Sequence, residues 1–152
     1  MAEDLTHRIL EILLVEDNDD DIFMVEEAFS EAKLINIVSV VKNGEEALAY
    51  LRREGQYENA ARPGMVLLDI NMPKKNGFEV LREMKSDAGL SAIPVVMLTT
   101  SEREEDILHS YLGGACTFIS KPVDIEKLKQ IANRFEIYWA LVAKVPAKES
   151  IV

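Results

Sequence analysis

The side chains best suited to polar chemistry each stand directly behind a short aliphatic run. Glu16 and Asp17 follow residues 9–15, and Asp69 follows 65–68 with Asn71 two positions on. Thr99 and Thr100 follow 94–98, while Ser120, Lys121 and Pro122 follow 115–119. Three carboxylates, a hydroxyl and an ammonium make a coherent set if the chain gathers them. Clustered carboxylates disfavour one another's ionisation. A hard divalent cation relieves that repulsion, because Mg²⁺ takes oxygen ligands and keeps positions for water and a phosphate oxygen. Thr99 and Lys121 would then hydrogen-bond and neutralise an anion lying next to the metal.

The elements that must position these groups read as five repeats of one unit: an apolar run, a polar turn and an amphipathic stretch. The run 9–15 is aliphatic except at Glu11 and is expected to be a strand buried on both faces. Residues 18–32 follow, with Ile22, Val25, Ala28, Phe29 and Ala32 at helical spacing. The second strand is expected at 37–41. Asn43-Gly44 is turn chemistry and opens a helix bearing Ala47, Leu48 and Leu51. The polar segment Gly55 to Gly64 is read as a loop.

The third strand is expected at 65–68, with Phe78, Val80, Leu81 and Met84 on the helix after it. The fourth strand is expected at 94–98. Ser101 and Glu104 have capping-box spacing, in which the Ser hydroxyl accepts from the third helical N–H and the Glu reaches back. That helix runs to about Leu112 and stops at Gly113-Gly114. The fifth strand is expected at 115–119, and a last helix runs from its cap Asp124 to about Ala143.

Five β-α units imply an α/β fold, a five-stranded parallel doubly wound sheet with helices on both faces. The flavodoxin-like strand order 2-1-3-4-5 makes the second strand an edge. Ligands in such sheets bind beyond the carboxyl ends of the strands, at the switch point, where the other four strands end in the groups above. No linker or repeat divides the 152 residues, so one domain is expected over 1–152, its core at about 9–143 and no output domain.

A formal net charge of -10 argues against a nucleic-acid partner. No segment reaches the roughly 18 apolar residues of a membrane span. One cysteine, Cys116, excludes a disulfide within the chain and favours a reducing compartment, so a cytoplasmic protein is expected. Cys116 reads as a small core residue, and His7 and His109 as plain surface residues.

LLVEDN (13–18), LLDINMPKKNG (67–77), MLTTS (97–101) and FISKP (118–122) resemble the four signature segments of the response-regulator receiver family. The resemblance implies that Asp69 is the phospho-acceptor and that Glu16, Asp17, Asp69 and the backbone carbonyl of Asn71 hold Mg²⁺, for which Mn²⁺ can substitute. It implies that Thr99 bonds the phosphoryl group and Lys121 pairs with its oxygens. Phe118 resembles the switch aromatic and Pro122 the cis-proline that shapes the loop.

A histidine kinase donor, a downstream protein target and self-limited autodephosphorylation are implied with them. The loop Gly55 to Gly64 and the pair Tyr138-Trp139 are similar to small stand-alone receivers partnered with bacterial phytochrome histidine kinases.

Two bland readings compete. Asp19, Asp20 and Asp21 lie where negative charge suits a helix dipole and are read that way rather than as metal ligands. A Mg²⁺-dependent phosphohydrolase of the haloacid-dehalogenase type would need a second Asp where Asn71 stands. In the last helix, Ile137, Trp139, Ala140 and Leu141 lie off the stripe formed by Ile125, Leu128, Ile131, Phe135 and Tyr138. A helix apolar nearly all round needs a second cover, so a homodimer through Tyr138, Trp139 and Leu141 is expected.

Overall fold

In the computed structural model, the described residues are 10–31, 36–112 and 117–122, with 124, 126, 127 and 130. Strands β1 (Leu10–Val15), β2 (Asn36–Val41), β3 (Met65–Asp69), β4 (Val95–Thr99) and β5 (Thr117–Ser120) form one parallel sheet in the order β2-β1-β3-β4-β5. Helices α1 (Asp19–Glu31), α2 (Gly44–Arg52), α3 (Gly77–Ser86) and α4 (Glu102–Leu112) alternate with them. The expected doubly wound fold and strand order are observed. The expected helix beginning near Asp124 lies largely outside the described residues, as do Tyr138, Trp139, Leu141, Cys116 and Gly113-Gly114. Asp124 itself accepts from the backbone N–H groups of Glu126 and Lys127, as an N-cap does.

Strand alternation divides the core in two. Leu13, Val15, Leu68 and Met97 point to the side where Ala47, Leu48 and Leu51 of α2, Val80, Leu81 and Met84 of α3 and Leu108 of α4 are buried. Ile12, Leu14, Met65, Leu67, Val96, Leu98 and Ile119 point the other way, onto Ile22, Val25 and Ala28 of α1. Both faces of β1, β3 and β4 are therefore dry, which is why these strands are continuous hydrophobic runs. Truncating a fully buried side chain such as Met84 to Ala would cost about 2–5 kcal/mol.

Local chemistry sets the helix starts. Asn43 caps α2 by accepting from Glu46 N, and α3 carries a reciprocal capping box between Asn76 and Glu79. Two helix-opening glycines are dictated by space. A Cβ on Gly77 would stand 2.4 Å from the carbonyl oxygen of Asp69, and one on Gly44 would stand 2.3 Å from that of Lys75.

The segment read as a plain loop contains a 3-10 turn, Gly55–Tyr57. Its Tyr57 stacks tilted on Tyr50 with ring centroids 5.3 Å apart and donates its hydroxyl to Glu46 at 2.9 Å. Those partners lie on α2, so composition alone does not reveal the turn.

Candidate functional site

Sheet register brings the polar groups together. β1 lies between β2 and β3, so the order reverses there and a crevice opens at the strand ends. Val15 pairs with Leu68, which sets Glu16 beside Asp69. Asp69 pairs with Leu98, so Thr99 is one step further along β4. Thr99 pairs with Ser120 and its carbonyl accepts from Lys121 N at 2.7 Å, which aims the Lys121 side chain back over the same rim. The Lys121–Pro122 peptide bond is cis.

Carboxylate oxygens of Glu16, Asp17 and Asp69 lie within 4.8 Å of one another. Glu16 and Asp69 are buried whereas Asp17 is exposed. Lys121 Nζ stands 2.7 Å from Glu16 Oε1, 3.0 Å from Asp69 Oδ1 and 3.0 Å from Asp21 Oδ2. One ammonium thus faces several carboxylates. The contact with Glu16 is close but poorly directed, and the buried Oε1 has no hydrogen-bond partner.

Burial pushes the carboxyls of Glu16 and Asp69 above their ordinary range, and Lys121 pulls both back only in part. Burial opposes the charge of Lys121 as well, but the carboxylates of Glu16, Asp21 and Asp69 around its ammonium outweigh it and hold its pKa above the usual lysine value. An under-neutralised set of oxygen donors with an orphaned buried oxygen fits a hard divalent cation. Mg²⁺ suits the donor set, and Mn²⁺ accepts the same oxygen ligands.

Thr99 is fully buried. Its hydroxyl donates to Glu105 Oε2 at 3.2 Å, and Ser120 donates to the same oxygen at 2.7 Å. Asn71 is exposed, and its side-chain amide donates to Glu104 Oε2 at 2.7 Å. Phe118 is half-buried and packs against the core on the α2–α4 side. Thr100, the other hydroxyl behind β4, is exposed and bonds Glu104.

One expectation gains an addition and another needs correction. Asp19, Asp20 and Asp21 do fill the first turn of α1, but Asp21 also belongs to the rim through Lys121. The capping box at Ser101 is half formed. Ser101 Oγ accepts from Glu104 N at 3.2 Å, yet the Glu104 carboxylate passes over Ser101 and accepts from Thr100 N at 2.7 Å. Glu104 and Glu105 are residues that sequence patterning missed. As acids in a first turn they look like ordinary dipole partners.

Among the described residues, no helix is long and apolar enough to cross a membrane. A family model described as the response regulator receiver domain matches residues 12–133. The response regulator Rcp1 of Synechocystis sp. (strain ATCC 27184 / PCC 6803 / Kazusa) is 38% identical over 136 residues, 90% of this chain and 92% of Rcp1. The crystal structure of Mn²⁺-bound Rcp1 resembles this fold with a TM-score of 0.70 at 37% identity, covering 86% of this chain and 94% of that one.

The phosphorylated cyanobacterial phytochrome response regulator RcpA is 47% identical with a TM-score of 0.72, covering 87% and 94% of the two chains. The bacteriophytochrome response regulator RtBRR is 40% identical with a TM-score of 0.75, covering 85% and 78%. With the fold, the acidic rim and these likenesses in agreement, the chain belongs to the response regulator receiver domain family, phospho-accepting proteins of two-component signal transduction.

Proposed function

We propose that Asp69 is the residue phosphorylated, by a phosphohistidine of a histidine kinase, in a pocket where Glu16, Asp17, Asp69 and the Asn71 carbonyl hold Mg²⁺. The observation that carries this reading is the meeting of Glu16, Asp17 and Asp69 within 4.8 Å, with Lys121 3.0 Å from Asp69. An Asp69 carboxylate oxygen forms the bond to phosphorus as the bond from phosphorus to the histidine nitrogen breaks. When bound there, Mg²⁺ would supply positive charge to the transferring group. Lys121, 3.0 Å from Asp69 Oδ1, supplies positive charge to the phosphoryl oxygens, and Thr99 donates its hydroxyl to one of them. Water later hydrolyses the acyl phosphate, so the signal is self-limited.

The likeness to RcpA and RtBRR supports a bacterial phytochrome as the kinase. We further read the chain as a single cytoplasmic domain that acts through protein contacts and pairs as a homodimer through Tyr138, Trp139 and Leu141, with Phe118 and Thr99 as the switch pair. The apolar excess at 137–141 supports the dimer, and sedimentation of wild type and Trp139→Ala tests it.

Labelling with acetyl phosphate or a phosphohistidine donor tests the chemistry. Wild type should be labelled only with Mg²⁺, and Asp69→Asn should not be labelled at all. Persistent labelling of that variant, or labelling in excess chelator, would falsify the assignment.

A further inference from the structure

The first turn of α4 grips the rim from the side opposite Glu16 and Asp17. Glu105 Oε2 takes the hydroxyls of Thr99, on β4, and Ser120, on β5, at 3.2 and 2.7 Å. Glu104 takes Thr100 N and Thr100 Oγ1 with one oxygen, at 2.7 and 3.1 Å, and the Asn71 amide with the other, at 2.7 Å. Two consecutive carboxylates therefore collect donors from behind β3, from β4 and from β5. Neither lies within a signature segment.

Thr99 has one hydroxyl proton. Its side chain is fully buried, and among the described residues the only other acceptor is Ile119 O at 3.5 Å, too long to compete. The proton can go to Glu105 or to a phosphoryl oxygen on Asp69, but not to both. Glu105 holds the stronger claim in the structure because its oxygen is the nearer acceptor and because Ser120 fixes that same oxygen. A phosphoryl group brings a charge of about -1.5 to -2 and three strong acceptors. It would both outbid the carboxylate and repel it. Glu105 is half-buried, so it can turn to water once released.

We propose that Glu105 is the competing acceptor that holds Thr99 and the first turn of α4 in the unphosphorylated arrangement, and that phosphorylation acts by taking Thr99 away from it. Glu105 is a positioning residue, since it reaches the phosphoryl group only through Thr99, and Ser120 positions Glu105. The inference rests on the reading that a phosphoryl group on Asp69 engages Thr99.

Beryllofluoride, a phosphoryl mimic, titrated calorimetrically into the full chain with Mg²⁺, tests both layers. Wild type should bind. Glu105→Gln replaces a charged acceptor by a neutral one of the same shape and should bind about tenfold tighter, the difference between charge-assisted and neutral hydrogen bonds. The gain should vanish when Thr99→Ala is added, because no proton is left to contest; a merely structural effect of Glu105 would survive that background. Ser120→Ala, which frees Glu105 without touching Thr99, should shift affinity the same way by less.

In ligand-free protein, the Thr99 methyl resonance should move in Glu105→Gln. Absence of wild-type binding overturns the site reading and this inference with it. Wild-type binding with an unchanged or weaker Glu105→Gln, or a gain that persists in Thr99→Ala, overturns the Glu105 role alone.

Discussion

Lys121 Nζ lies 3.0 Å from Asp21 Oδ2, joining the end of β5 to the first turn of α1 across a hundred positions of chain. Asp21 is one of three carboxylates sharing that ammonium and the most exposed of them. Asp21→Asn leaves Lys121 with Glu16 and Asp69. Its cost, screened by solvent, should be about 1 kcal/mol of folding stability. Asp17→Asn should weaken Mg²⁺ binding more than Asp21→Asn does. Denaturant unfolding and calorimetric metal titration rank the two; a greater loss of metal affinity in Asp21→Asn would make Asp21 a ligand.

Lys121→Ala should behave quite differently. It strips the only ammonium beside Glu16 and Asp69 among the described residues and leaves two buried carboxylates facing each other. Breaking such a pairing costs about 3–5 kcal/mol. Mg²⁺ should restore much of that loss, since a cation bound to the folded state alone stabilises it by mass action. Thermal melts with and without Mg²⁺ should show a larger metal-induced rise in Lys121→Ala than in wild type. An equal rise in both would mean that the lysine and the metal do not answer the same charge.

The raised carboxyls of Glu16 and Asp69 give a pH dependence with a definite sign. Between the ordinary carboxylate range and their raised folded values, the unfolded chain is ionised while the folded chain keeps its protons. The folded state binds more protons, so these two groups make metal-free stability fall as pH rises through that window. Lys121 works on another range: its raised pKa gives stability that is full at neutral pH and is lost only in strong alkali. Mg²⁺ would bind the ionised carboxylates, so it should raise the melting midpoint at neutral pH and much less in acid, where both groups keep their protons. A metal effect independent of pH would separate the cation from Glu16 and Asp69.

Gly77→Ala should be far more damaging than Gly55→Ala. At Gly77 the added methyl meets the backbone of Asp69 and Ile70, which cannot step aside without moving Asp69 itself. A loss at the upper end of the 1–3 kcal/mol typical of overpacking is expected, together with slower labelling of Asp69. Gly55 has open space around it, and its φ of +57° costs an L-residue only about 1 kcal/mol. Unfolding midpoints of the two variants check the order.

The reach of sequence reasoning followed how local each cause is. β1, β3 and β4 are dry on both faces, so they appear as aliphatic runs, and whatever follows them had to lie on the rim of the sheet. Glu16, Asp17, Asp69 and Thr99 were legible on that account, whereas Lys121 follows the shorter, half-buried β5 and was legible from its place before Pro122. Asp21 was not, because its position in a helix first turn already has a sufficient local reason and its partner is remote. Glu104 shows the same masking. The capping spacing to Ser101 is real, but the carboxylate is drawn past it to Thr100 N and to the Asn71 amide, a donor that only the folded sheet brings near. The 3-10 turn at Gly55–Tyr57 likewise depends on Tyr50 and Glu46 of α2.

The tight seat of Gly77 against the Asp69 carbonyl makes the two flanks of Asp69 mechanically unequal. Toward α3, main chain abuts main chain. Toward α4, the connection runs through the long side chains of Glu104 and Glu105, which can swing. One flank is anvil and the other hinge. A phosphoryl group on Asp69, as proposed, would therefore push against a rigid backstop, and the displacement would be steered across β4 into α4 instead of being shared around the rim.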